Sequence, residues 1–130
     1  MANPTITTTL ADTARKLVLK HTQTFNDTGS QSDTLVDIST KDYTAVAVER
    51  VWLSASHDAQ CRLQWDADVD VLIAAGVLDS QNYCFDFTLG GWGGVTQEGA
   101  NPTGDLIVQS ASMGTTGEQT TIIVEMRKIF

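Results

Sequence analysis

The sequence is poor in basic residues, cysteine, proline and aromatic residues. Lys and Arg number 8 against 16 Asp and Glu, which gives a formal net charge of −8. A field of this sign repels phosphate backbones, so we expect no nucleic-acid partner. No apolar run reaches the roughly 20 residues that a membrane helix needs, so we expect no membrane partner either.

The N-terminus predicts a reducing compartment, and the expected state of the cysteines follows from that prediction. The segment "MANPTITTTLADT" has neither the basic n-region nor the apolar h-region of a secretion signal, so folding in a cytoplasm is expected. Cys61 and Cys84 are the two cysteines. They could form one bridge in an oxidising compartment, but without a secretion signal we expect two reduced, partly buried thiols that pack as small apolar residues.

The patterns of catalytic and metal sites are also missing. His21 and His57 lie far apart, and neither has Cys, His or Glu at ligand spacing. No G-x-S-x-G elbow is present, and neither cysteine lies in a recognisable nucleophile motif. We therefore do not expect an enzyme, and no cofactor, metal ligand or catalytic residue is predicted.

The stretch "WDADVDV" places Asp66, Asp68 and Asp70 at alternate positions. A calcium loop beginning at the first of them would need glycine at its sixth position and glutamate at its twelfth, and the chain has valine at both. The spacing instead predicts a β-strand with the carboxylates in solvent and with Ala67 and Val69 in the core. Two strands joined by a tight bend near the first two aspartates are the alternative.

Alternation of apolar and polar residues is the dominant pattern of the chain. It occurs in "RKLVLKHTQTF", "TLVDIS", "YTAVAVERVWLSA", "QCRLQWDADVDVLI", "NYCFDFTL", "DLIVQSA" and "TTIIVEMRKIF". Short segments of this period, separated by turn-forming residues, predict an all-β antiparallel sandwich or barrel of about eight strands. The pattern places Trp52 and Trp65 in the core, and a helix is conceivable only at residues 8–18.

No change of composition divides the chain, so we expect residues 14–130 to form a single β-sandwich domain. Residues 1–13 are rich in threonine and are expected to form an extended arm outside the core. Such an arm could add as a strand to a neighbouring subunit, and a free tail is the alternative. Its candidate docking residues are Thr5, Ile6, Thr7 and Leu10.

The segment "GGWGG" surrounds Trp92 with four glycines. A large aromatic side chain on such a loop could dock on a partner, since aromatic residues dominate interface hot spots. The other interpretation is that Trp92 folds back and closes one end of the sandwich. The sequence leaves both open.

Several segments, taken in order, resemble a group of small virion structural proteins of tailed bacteriophages. They are "RKLVLKHTQTFNDTGS", "LVDIS", "VERVWLSA", "CRLQWDA", "TGDLIVQSA" and "GEQTTIIVEMRK". The resemblance covers roughly residues 14–128, and the segments "GGWGG" and "AAGVLDSQNY" are not part of it.

The resemblance implies a jelly-roll-like β-sandwich on the exterior of a phage head. A protein of this group is expected to be a decoration or cement protein that assembles in the host cytoplasm. We expect the chain to bind the major capsid protein, to stabilise the shell and to form a homotrimer. The group has no catalytic residues, so none is implied. The alternative is a β-sandwich of a phage tail or a cell surface that binds a carbohydrate or a receptor.

Overall fold

The computed structural model describes residues 4–25, 29–56, 59–76, 82–91, 93–112 and 118–130. Across these ranges the chain forms nine β-strands and two short 3₁₀ turns, Ile38–Thr40 and Leu89–Gly91. The strands are β1 (Thr5–Asp12), β2 (Lys16–Phe25), β3 (Gly29–Val36), β4 (Ala45–Ala55), β5 (Ala59–Trp65), β6 (Val71–Gly76), β7 (Asn82–Asp86), β8 (Leu106–Ser112) and β9 (Glu118–Ile129). None of the described segments is a helix that could cross a membrane.

The strands form two antiparallel sheets. The first has the order β1-β2-β9-β4-β7 and the second the order β3-β8-β5-β6. The pairs β2/β9, β3/β8, β4/β7 and β5/β6 are nested, as in one long hairpin wound around a core. This nesting is the jelly-roll arrangement, so the all-β, jelly-roll-like sandwich predicted from the sequence is confirmed.

The core lies between the sheets and follows from the period of two. Along β8 buried and partly buried residues alternate without interruption, and β9 repeats the alternation through most of its length. Successive side chains of a strand point to opposite faces, so every second residue enters the core. Trp65, Leu63 and Phe25 are among the largest fully buried side chains, which confirms the prediction for Trp65.

A β-bulge in β4 changes which residues face the core. The register between β4 and β9 shifts between Val48 and Arg50, so that Val48 and Val51 are both fully buried although they are an odd number of residues apart. The extra residue reverses the faces of everything that follows it. Trp52 therefore points outward and is 38% exposed, and its predicted core position is wrong.

The segment predicted as an arm lies along the first sheet as its edge strand. β1 pairs antiparallel with β2 from Thr5↔Gln23 to Asp12↔Leu17. The side chains of β1 are exposed except for Ala11, which is partly buried. A helix over residues 8–18 is wrong, because these residues divide between β1 and β2.

The three alternating aspartates lie in the turn between β5 and β6. The strand interpretation is wrong here, since Val69 is 79% exposed, and the alternative of two strands joined by a bend is confirmed. The carboxylate of Asp66 accepts a hydrogen bond from the Thr103 hydroxyl at 2.8 Å, and that of Asp68 accepts one from the Asn101 amide at 2.7 Å. The aspartates thus hold the segment that precedes β8. Within the described ranges no group of His, Cys, Asp and Glu could hold a metal ion.

The connection from β7 to β8 docks on the bulge of β4. The backbones of Val48 and Val95 exchange two hydrogen bonds of 2.8 and 2.9 Å. Gly94 has a φ of 95°, and a Cβ atom there would lie 2.6 Å from the carbonyl oxygen of Val48. Only glycine fits so close to the bulge without a shift of the backbone.

We expect Gly94→Ala to lower the free energy of unfolding by about 2–3 kcal/mol, from the strained φ and the backbone clash together. Gly90 is the control, since its φ is 72° but a Cβ atom there would have nothing within 4 Å. Gly90→Ala should cost only about 1 kcal/mol, the price of the left-handed backbone. Urea denaturation of both variants measures the difference, and equal losses would contradict the clash.

Candidate docking face

The outer face of the first sheet brings a row of side chains together across five strands. Trp52 lies opposite Cys84 on β7 and Ile123 on β9, and the row continues through Lys20 on β2 to Thr8 on β1. The neighbouring row runs from Asn82 to Ile6 in the same registers. We call these two rows the docking face: Ile6, Thr8, Lys20, Thr22, Trp52, Ser54, Asn82, Cys84, Thr121 and Ile123. Lys20 is its only charged residue.

An open groove of about 510 Å³ surrounds Trp52 on this face. Its surface is almost entirely apolar. The groove is lined by Trp52, Leu53, Ser54, Asn82, Tyr83, Cys84, Thr121 and Ile123. An exposed aromatic side chain beside an apolar groove is the type of surface that anchors a protein interface.

A row of paired charges borders the docking face. The guanidinium of Arg50 donates to Glu125 at 3.0 Å and lies 3.4 Å from Asp86. Lys16 lies 3.4 Å from Glu125 and also contacts Glu49. The Glu125 hydrogen bond raises the pKa of Arg50, and hydrogen bonds from Thr88 lower the pKa of Asp86. These ions pair with one another and form a polar border along the docking face.

The predicted docking residues divide between two surfaces. On β1, Ile6 is 66% exposed and belongs to the docking face, while Leu10, 51% exposed, lies at a bulge of the strand. Thr5 and Thr7 lie opposite Gln23 and His21, which are buried, and so face away from the docking face. Trp92 and His57 lie outside the described residues.

Trp52 is the docking-face residue that sequence reasoning missed. The signal that could have found it is the pair Glu49-Arg50 inside an otherwise apolar run, because two successive polar residues interrupt the period of two. Such a pair is what a bulge leaves in a sequence.

Both cysteines are free thiols, as expected, and they lie in different sheets. Cys61 is buried on β5, and burial raises its pKa to about 12. Cys84 on β7 is exposed at the docking face, contrary to the expected partial burial. Cys61 is thus an inert packing residue, and Cys84 is the accessible thiol of the two.

His21 joins β1, β2 and β3 in the core, and only 3% of it is exposed. Its Nδ1 lies 3.0 Å from the hydroxyl of Thr7, and its Nε2 lies 3.4 Å from a carboxylate oxygen of Asp33. Burial lowers the pKa of His21, and the charge of Asp33 opposes that shift without cancelling it. His21 is therefore deeply buried and hydrogen-bonded through Nδ1.

The lowered pKa of His21 predicts a loss of stability in mild acid. The unfolded chain binds a proton at about pH 6.5, before the folded chain does, so the free energy of unfolding should fall as the pH drops from 7.5 through 6.5 to the folded pKa. In His21→Gln this slope should be smaller, and in Asp33→Asn it should extend to lower pH. Denaturant titrations across this range check it, and an unchanged slope in His21→Gln would contradict it.

The comparisons with known proteins concern the fold alone. No family model matches the chain, and no curated protein does. Solved structures of similar fold include a cupin superfamily protein from Desulfitobacterium hafniense, at 11% identity and a TM-score of 0.35, covering 100% of this chain and 82% of that one. The major capsid protein P2 from bacteriophage PM2 is another, at 16% identity and a TM-score of 0.47, covering 88% of this chain. The chain spans 45% of that capsid protein, and neither likeness bears on function.

Proposed function

We propose that the chain is a structural protein of a phage particle, which binds the exterior of the head shell through the docking face as a decoration or cement protein. The observation that carries the proposal is the Trp52 groove. A protein with a net charge of −8 keeps the two rows around this groove free of acidic residues. A face of this kind fits an apolar protein surface.

The shell would be stabilised by mass action. A protein that binds only the assembled shell lowers the free energy of that state and not of the free subunits. Each contact needs to bury only about 1,000 Å² in total, because many copies bind one shell. The partner is the major capsid protein. The homotrimer expected from the sequence stays a prediction, and the two-fold pairing inferred below is the alternative to it.

A carbohydrate-binding module is the second function that an exposed tryptophan suggests. A sugar presents hydroxyl groups around its ring, and a pocket that selects it needs several polar partners at fixed positions. The Trp52 groove has Ser54, Asn82 and Thr121 among its lining residues, but its surface is almost entirely apolar. This composition favours an apolar side chain of a protein as the occupant.

Cosedimentation with purified head shells of the phage that encodes the chain tests the proposal. Shells prepared without the protein should take it up to a fixed number of copies and should then melt at a higher temperature. A glycan array serves as the second arm. Saturable glycan binding without uptake by shells would overturn the proposal and support the carbohydrate-binding alternative.

A further inference from the structure

We infer that two copies of the chain pair through β1, antiparallel and about a two-fold axis at Thr8, so that their first sheets join into one. A second copy is the occupant because β1 complements itself in backbone geometry, in charge and in side chains. An edge strand with free N–H and C=O groups is a template for such pairing.

The backbone of β1 presents its odd-numbered residues to the free edge. The N–H of Thr24 donates to the carbonyl of Pro4 at 3.0 Å, which makes these two residues a hydrogen-bonded pair within the β1–β2 ladder. Hydrogen-bonded and non-hydrogen-bonded pairs alternate along an antiparallel ladder. The N–H and C=O groups of Thr5, Thr7 and Thr9 therefore point away from β2 and are open to a partner strand.

Charge favours β1 over the other edge strands that the structure describes. Residues 5–11 carry no charge, and the first charged residue after them, Asp12, lies 2.5 Å from the ammonium group of Lys128. By contrast, β3 contains Asp33 and β7 contains Asp86. The remaining edge strand, β6, has 6 residues against the 8 of β1. Two copies of an acidic protein can approach along β1 without opposing like charges.

The side chains select the register. With the axis at Thr8, Thr7 of one copy lies opposite Thr9 of the other, and their outward groups form the hydrogen bonds. Ile6 then lies opposite Leu10, in a non-hydrogen-bonded pair whose side chains approach most closely. These two side chains are 66% and 51% exposed in the single chain. The two-fold axis forms this contact twice, so that both side chains are covered in both copies.

The dimer would bind a shell more tightly than a single chain, a consequence that rests on the proposed function. A two-fold axis perpendicular to the joined sheet leaves both docking faces on the same side. Two Trp52 grooves then face one surface, and the second contact forms at high effective concentration.

Light scattering at several protein concentrations tests the pairing. We expect a monomer–dimer equilibrium, because one strand of about 27 Å is a small contact. Thr8→Lys places two ammonium groups at the axis and should lower the association constant roughly fivefold or more. Thr34→Lys makes the same change on the edge strand β3 and should leave the association constant unchanged. A monomer at all concentrations, a trimer, or equal effects of the two variants would overturn the inference.

Oxidative crosslinking tests the register. Thr8→Cys, made in a Cys84→Ser background to remove the exposed thiol, should form a disulfide-linked dimer, because non-hydrogen-bonded partners lie about 4.5 Å apart at Cα. Thr34→Cys in the same background should not. The pairing and the proposed function can fail separately. If the protein is strictly monomeric but Trp52→Ala still abolishes its binding to shells, the pairing alone is wrong. A dimer that no shell takes up would remove the function alone.

Discussion

Replacing Trp65 by alanine is expected to lower the free energy of unfolding by about 3–5 kcal/mol. Trp65 ends β5 and is fully buried between the sheets. Its removal would leave a cavity that neighbours on several strands cannot fill without distorting two sheets. A domain of this size has a total stability of about 5–15 kcal/mol, so the variant would be partly unfolded at moderate temperature. Equilibrium denaturation followed by circular dichroism measures the loss.

Trp52→Ala is the control for this experiment, since it makes the same chemical change on the outer face of the first sheet. Trp52 is 38% exposed, and its truncation should cost about 1 kcal/mol or less. Comparable losses in the two variants would show that Trp52 is a core residue and would contradict the bulge in β4.

For shell binding the order of the two effects reverses, and Trp52→Ala is expected to have the larger one. Trp52→Ala should weaken the binding of the folded protein to head shells by about 2–4 kcal/mol, which is roughly 30- to 1,000-fold in the dissociation constant. The reason is that Trp52 lines the groove that an apolar side chain of the partner would fill, and a buried aromatic contact of this kind supplies much of the energy of an interface. Binding isotherms from cosedimentation, at a temperature where the variant is fully folded, give the ratio.

Leu72→Ala controls for the loss of any exposed apolar side chain. Leu72 lies on β6 in the second sheet, away from the docking face, and is 53% exposed. Its truncation should leave shell binding within twofold of the wild type. If Leu72→Ala weakened binding as much as Trp52→Ala, the docking face would be wrongly placed.

The alternation of apolar and polar residues predicted the fold class, because this alternation depends on burial alone. The extra residues at the bulges beside β2, β5, β8 and β9 lie in the neighbouring strands, so the alternation within these four strands is unbroken and places Leu17, Leu63, Val108 and Val124 in the core. The period failed in β4, where a residue opposes no partner and the faces exchange. The pair Glu49-Arg50 marks the interruption in the sequence, but the pairing with β9 decides that the interruption is a bulge.

The prediction of a strand for the aspartate segment failed for a related reason. Asp66, Asp68 and Asp70 alternate with apolar residues, as in a half-buried strand. Their carboxylates instead bind Thr103 and Asn101, more than 30 residues away, and Gln64. Contacts over such separations stabilise a turn that local alternation cannot distinguish from a strand. The docking face as a whole could not be predicted from the sequence for the same reason, since it joins residues of five strands.

The most direct measurement is electron cryo-microscopy of head shells saturated with the protein. We predict density for the jelly-roll sandwich on the outside of the shell, with the docking face against the capsid protein and Trp52 in the contact. Density that places this face toward solvent, or shells that remain bare at saturating concentration, would contradict it.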